Sequence, residues 1–221
     1  MSESQKRVKL LKQGNPNSTW FVLGATGSGK STLMANLLLD EQRFVIFDTR
    51  NEYDPTFFHV DGKADVVVVS SRDEFRAALN NLAPRIISKN FSDSQLEADL
   101  NNLYEFQKIN AHIEELAPVR VSIDELNRFC DSSNCPEPLR EITQRGRDYK
   151  INKLFGAQWF GTIPTWMRDS FSEIYTFRHS DPRGLALLEL YGFNKEQVRE
   201  LPRYHCLHNG KDGIETIELV A

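Results

Sequence analysis

Gly24-Ala25-Thr26-Gly27-Ser28-Gly29-Lys30-Ser31 stands between an apolar run, Trp20-Phe21-Val22-Leu23, and a helical pattern opening Thr32-Leu33-Met34-Ala35. The spacing G-x-x-x-x-G-K-[ST], in a strand–loop–helix context, is that of a phosphate-binding loop. The glycines let successive backbone N–H groups turn inward without a Cβ in the way, making a nest for anions. The loop then feeds a helix N-terminus, whose unpaired N–H groups and dipole favour phosphate. Residues Gly24 to Ser31, with Thr32, are therefore the expected nucleotide-binding segment. Lys30 is expected to reach the β- and γ-phosphates of ATP, and the Ser31 hydroxyl to ligate Mg²⁺. The bland alternative is a glycine-rich turn before an ordinary helix. Residue types, spacing and flanks together argue against it.

Working outward, 221 residues suffice for one sizeable α/β domain, read as residues 19–221 behind a basic lead-in at 1–18. A net charge of −4 announces no nucleic-acid binder in bulk, so any such surface must be local. Cys130, Cys135 and Cys206 are scattered and lack a C-x-x-C pair. That pattern predicts neither a zinc site nor a disulfide framework, and suggests a reducing compartment. The N-terminus has no apolar leader, and no stretch approaches about 18 apolar residues, so neither a signal peptide nor a membrane span is expected.

Apolar runs at 19–23, 44–48, 66–69 and 119–123 read as buried strands, and Ile86-Ile87 as the start of another. Asp48 ends the second run, where ligands of open α/β sheets collect, and Glu52 lies in the loop beyond. Ser71 and Glu74 form a capping box for a helix to about Leu82. A long helix is predicted from Ser92 or Asp93 through Leu96, Leu100, Leu103, Phe106, Ile113 and Leu116, with Pro118 ending it. Tyr204–His208 and Ile214–Val220 flank Asn209-Gly210-Lys211-Asp212-Gly213, a hairpin signal. The predicted fold is a three-layer α/β/α P-loop NTPase with a mainly parallel central sheet and a C-terminal antiparallel β-hairpin.

Val119-Arg120-Val121-Ser122-Ile123-Asp124-Glu125 is an apolar strand ending in two carboxylates, the Walker B pattern when it follows a P-loop. Asp124 is expected to hold Mg²⁺, and Glu125 to polarise the attacking water. Arg120 and Ser122 imply that one face of this strand meets something polar. Leu154-Phe155-Gly156-Ala157-Gln158 is a strand ending in an amide. Gln158 has the donors and acceptors to sense a γ-phosphate and its water, although a glutamine at a strand end is often inert. Between these strands, residues 140–153 carry five basic and two acidic side chains. They read either as a solvated helix end or as functional cations. In the second case Arg147 or Arg145, Arg147 being preferred, is an arginine finger for a neighbour's γ-phosphate. Arg140, Lys150 and Lys153, with Arg168 further on, then become candidate DNA contacts.

Four features together resemble the FtsK/HerA superfamily of P-loop ATPases: GATGSGKS (24–31), FDTRNEYDP (47–55), SIDE (122–125) and the block from Arg145-Gly146-Arg147 to Gln158. No accessory segment like those of the cellular members is expected within these 221 residues, whose size resembles that of the genome-packaging ATPases of membrane-containing tailless icosahedral viruses. The resemblance implies an ATP hydrolase that translocates double-stranded DNA as a homo-oligomeric ring, a hexamer in the family's usual form. It further implies docking on a capsid vertex or on inner-membrane virion proteins, in the virion or the host cytoplasm. It also points to Gly161–Arg168 as a moving, DNA-facing loop. The rivals are another DNA-transfer or filamentous-phage assembly ATPase, and a nucleotide-binding switch or small-molecule kinase that needs no DNA.

Overall fold

The computed structural model describes residues 18–58, 66–89, 92–210 and 213–219. Among these residues nine strands form one sheet: β1 (Thr19–Leu23), β2 (Arg43–Asp48), β3 (Val66–Val69), β4 (Arg85–Lys89), β5 (Val119–Ile123), β6 (Ile151–Ala157), β7 (Glu173–Phe177), β8 (His205–Gly210) and β9 (Gly213–Glu218). Their spatial order is β3-β4-β2-β5-β6-β1-β7-β8-β9. Pairing is parallel from β3 through β7, and β8 and β9 continue the sheet antiparallel. The expected hairpin is therefore the far edge of the main sheet. The strand it pairs with, β7, has no counterpart in the sequence reading.

The helices are α1 (Lys30–Leu38), α2 (Arg72–Asn80), α3 (Asp93–Asn110), α4 (Leu126–Phe129), α5 (Glu137–Arg145), α6 (Thr165–Arg168), α7 (Pro182–Leu190) and α8 (Lys195–Glu200). Strand residues alternate between two cores, as the period of a strand requires. Phe21 and Leu23 face a core built with residues of α2 to α8. Trp20 and Val22 face one filled by α1, a 3₁₀ turn at Pro55–Phe58 and the hairpin. β1, β2, β5 and β6 are buried along their whole length, which suits their apolar, β-branched composition.

Ser71 caps α2 as expected by accepting from the Glu74 N–H, while the Glu74 carboxylate reaches the N–H of Ser70 rather than that of Ser71. α3 stops at Asn110, earlier than predicted. The Asn110 amide donates to the Phe106 carbonyl (2.7 Å), and Ile113 and Leu116 sit in turns whose carbonyls accept from Lys150 (2.8 and 3.3 Å). Apolar spacing continued past the point where local hydrogen bonding had ended the helix.

The cysteine reading needs correction. Cys130 and Cys135 form a disulfide that closes the loop between α4 and α5. The loop is turned by the Asp131 carboxylate, which accepts from Ser133 N–H, Ser133 hydroxyl and Asn134 N–H. That turn brings together two thiols whose spacing alone implied nothing, and it removes the cysteine-based argument for a reducing compartment. Residues 1–17 of the expected lead-in lie outside the described residues. Ser18 is buried and belongs to the fold, its carbonyl and hydroxyl accepting from Arg120.

Candidate active site

β2, β5, β6 and β1 are neighbours running in the same direction, so the residues following each strand collect along one edge of the sheet. Asp48 ends β2, Asp124 and Glu125 follow β5, Gln158 follows β6, and the phosphate loop follows β1. Gly27 (φ 76°) and Gly29 (φ 104°) turn that loop through left-handed backbone conformations that a side chain disfavours. Gly29 immediately precedes α1, so the helix N-terminus opens onto the loop. A cavity of about 440 Å³ lies against it, bordered by Thr26, Lys30, Ser31, Arg50 and Glu125. Its size falls in the usual range for small-molecule sites.

Lys30 is 5% exposed, and its ammonium pairs with the Asp124 carboxylate and approaches Glu125 (3.8 Å). Ser31 Oγ donates towards Asp124 Oδ2 (2.8 Å) and also meets Glu52. The Tyr53 hydroxyl donates to Asp124 Oδ2 (3.3 Å). Burial and then the neighbouring Asp124 charge push the Tyr53 phenol well above its usual range, so it stays a donor. Serine hydroxyl and carboxylate oxygens converging at one point are a donor set suited to a hard divalent cation such as Mg²⁺. Gly156 makes this approach possible: a Cβ there would lie 2.6 Å from both the Asp124 carbonyl oxygen and Met34 Sδ.

Glu125 is the other focus. Gln158 Nε2 donates to its two carboxylate oxygens at 3.1 and 3.3 Å. Arg50 Nε pairs with Glu125 Oε1 at 3.2 Å. Both also reach Thr26 Oγ1 of the phosphate loop, each at 3.4 Å. Asn127 on α4 accepts from Gln158 and Trp159 N–H (2.8 and 3.1 Å) and donates to the Trp159 carbonyl (2.9 Å) and to Thr162. It ties the end of β5 to the chain leaving β6. Arg50, Tyr53, Asn127 and Gly156 were not assigned these roles from sequence. Their signals were slight: an arginine and a tyrosine inside FDTRNEYDP, and a glycine two residues before Gln158.

Other expected residues fall elsewhere. Asp48 is 1% exposed and anchors the following loop, accepting from the N–H groups of Glu52 (2.9 Å) and Tyr53 (3.1 Å) with Lys89 at 3.7 Å. It does not border the cavity. Glu52 does, through its contact with Ser31. Lys153 is only 4% exposed on β6, and burial lowers its pKa to about 8, so it offers no surface for a duplex. The Lys150 ammonium is engaged by the carbonyls after α3. Arg140 is exposed beside Glu137 (4.0 Å) and Trp166, and Arg168 bonds Thr165 (2.9 Å). The 161–168 segment is packed through Ile163 and Met167, so it is anchored at two points. The polar demand of β5 is met at Arg120, which pairs with Glu41 (2.6 Å) and lies 3.6 Å from the Trp20 ring centre, and is not met at Ser122, whose buried hydroxyl has no hydrogen-bond partner among the described residues.

Arg145 and Arg147 are exposed and precede β6, whereas Gln158 follows it. At about 3.3 Å rise per residue, the seven-residue strand puts them roughly 20 Å from their own phosphate loop. Arg145 is paired with Glu141 (3.5 Å), and no ion pair among the described residues engages Arg147.

Fold and site together define a P-loop NTPase with Walker A, Walker B and a strand-end glutamine in contact. Residues 20–158, well over half of the chain, match the family described as Helicase HerA, central domain, and the chain belongs to that family within the FtsK/HerA superfamily of P-loop ATPases. Among solved structures it is similar to the genome packaging NTPase B204 from Sulfolobus turreted icosahedral virus 2 in complex with sulfate, with a TM-score of 0.72 and 16% identity over 94% of this chain and 99% of that one. The ATP-gammaS complex of the same NTPase aligns at TM-score 0.71 and 16% identity, over 94% of this chain and 100% of that one. The cytoplasmic domain of the type VII secretion ATPase EccC of Thermomonospora curvata is similar at TM-score 0.60 and 16% identity, over 92% of this chain and 24% of that one. At these identities the likeness is one of fold. Comparison with curated proteins returns no match. No helix among the described residues is long and apolar enough to cross a membrane.

Proposed function

We propose that this chain is an ATP hydrolase that drives double-stranded DNA translocation, working as a ring of identical subunits in the packaging of a viral genome. The observation that carries the hydrolase reading is the contact between Glu125 and Gln158 at 3.1 Å, set beside Lys30, Ser31 and Asp124 at the mouth of the phosphate loop. Lys30 and the loop N–H groups would hold the β- and γ-phosphates. Ser31 and Asp124 would hold Mg²⁺, which when bound supplies charge neutralisation at the phosphate oxygens. Glu125 would accept a proton from water as its oxygen bonds to the γ-phosphorus. The bond from that phosphorus to the bridging oxygen breaks, releasing ADP and inorganic phosphate.

The ring reading is supported by Arg147, which is exposed, free of ion pairs among the described residues and a strand length from its own loop. Only a neighbour's phosphates lie within its reach as a finger. The packaging role is supported by family membership and by likeness to a packaging NTPase over that protein's whole length. Docking on a capsid vertex or an inner-membrane virion protein belongs to the same proposal. The test is phosphate release by the purified protein with and without double-stranded DNA. Acceleration by the duplex supports the motor. Nucleotide turnover indifferent to DNA would return the chain to a switch or kinase.

A further inference from the structure

Arg50 lies inside FDTRNEYDP but was given no role of its own there, yet among the described residues it is the arginine that pairs with the expected base at the phosphate pocket. It leaves β2 in the loop anchored by Asp48 and turned at Asn51, which adopts a left-handed conformation (φ 57°). Its side chain is 40% exposed, against 10% for that of Glu125, so one face of the ion pair opens to the cavity. Nε meets Glu125 while Nη1 reaches Thr26 of the phosphate loop, and Gln158 bridges the same two residues from β6. The guanidinium and the amide thus hold the carboxylate from two sides.

We propose that Arg50 is a γ-phosphate ligand acting within its own subunit, and that it restrains Glu125 until a triphosphate is bound. This rests on the hydrolase reading above. A terminal phosphate carries more charge than a single carboxylate and presents oxygens that match the planar donor fork of arginine. When it enters beside Thr26, the better partner draws the guanidinium off Glu125. The carboxylate is then free to orient and deprotonate water, with Gln158 still holding it. A diphosphate leaves that position empty, so Arg50 returns to Glu125. The device distinguishes triphosphate from diphosphate inside one subunit, independently of any finger from a neighbour.

The test compares full-length wild type, Arg50→Ala and Arg50→Lys for phosphate release and for affinity towards a non-hydrolysable ATP analogue and ADP. Arg50→Ala is expected to weaken the triphosphate analogue about tenfold or more, the scale of a lost charged hydrogen bond, with ADP affinity within about twofold of wild type. Turnover at saturating ATP should fall by about 10²-fold or more, since arginines at transferring phosphates act chiefly on the transition state. Arg50→Lys, a point charge without the fork, should recover part of both. Equal losses for ADP and the analogue would overturn the proposal and leave Arg50 a loop-stabilising residue. Unchanged discrimination with unchanged turnover would also overturn it. If wild type releases no phosphate, the hydrolase reading fails, and the ratio of triphosphate to diphosphate affinity alone decides the role of Arg50.

Discussion

At the scale of single residues, the site separates groups that bind from groups that react. Lys30→Ala removes the buried cation of the phosphate loop and is expected to abolish nucleotide binding, read by equilibrium titration. Glu125→Gln keeps the shape and the Gln158 contact but cannot take a proton. Affinity should stay within a few-fold of wild type while turnover drops by about 10²–10⁴, the span of general-base catalysis. Equal turnover in this variant would remove Glu125 as the base. Gly156→Ala tests the packing behind the site. Its Cβ would press on the backbone of Asp124 and on Met34, and overpacking of this kind costs about 1–3 kcal/mol. A melting temperature lower by several degrees should accompany weaker nucleotide binding, because the displaced atoms include Asp124 itself. The residues proposed as catalytic could be singled out from sequence because each follows a strand in a recognisable spacing. Arg50 and Asn127 were not, because their roles depend on loops meeting across the sheet edge.

At the scale of elements, the C-terminal hairpin carries a titratable joint. His208 of β8 is 2% exposed and stacks on Tyr175 of β7 at 4.2 Å. Its ring nitrogens meet Glu173 of β7 (3.2 Å) and Glu215 of β9 (2.9 Å). Burial alone would depress its pKa, but the hydrogen bonds and charges of the two carboxylates carry it above the ordinary imidazole value. A raised histidine stabilises fully below its unfolded pKa of about 6.5, and the contribution is lost as pH rises through the folded value. Thermal melts from pH 6 to 9 should therefore show wild type losing stability relative to His208→Gln as pH increases. Parallel curves would mean the imidazolium does not bind the three strands together. The hairpin itself was readable from Asn209-Gly210-Lys211-Asp212-Gly213. Its attachment was not, since β7 is a short strand whose pairing partners come from opposite ends of the chain. α3 teaches a related lesson, for its apolar repeat outlasts its hydrogen bonds.

At the scale of the whole molecule, Arg147, the proposed finger, and the phosphate loop lie at opposite ends of β6, so full activity is expected only in an assembly. Arg147→Ala should bind nucleotide as wild type does and lose DNA-stimulated turnover, and mixing it with a Lys30→Ala chain should restore part of that turnover. An unassembled protein with full activity, indifferent to Arg147, would defeat the finger. Duplex retention should weaken as salt rises, because phosphate contacts release counterions. With Lys153 buried and Lys150 engaged, exposed Arg140 and half-buried Arg168 remain from the original candidates. Their loss should reduce the slope of affinity against salt.

The amino-acid sequence by itself indicated every strand but β7, the first three helices, the phosphate loop, the paired carboxylates and the glutamine, all of which are local patterns of a few residues. Tertiary structure alone decided which strands became neighbours, and with that everything that depends on adjacency. It placed Arg50 on Glu125, turned Asp48 into a loop anchor, joined Cys130 to Cys135 and buried Lys153. The physical reason is that a motif is written by what one segment must do, whereas a contact is written by two segments whose meeting the core enforces.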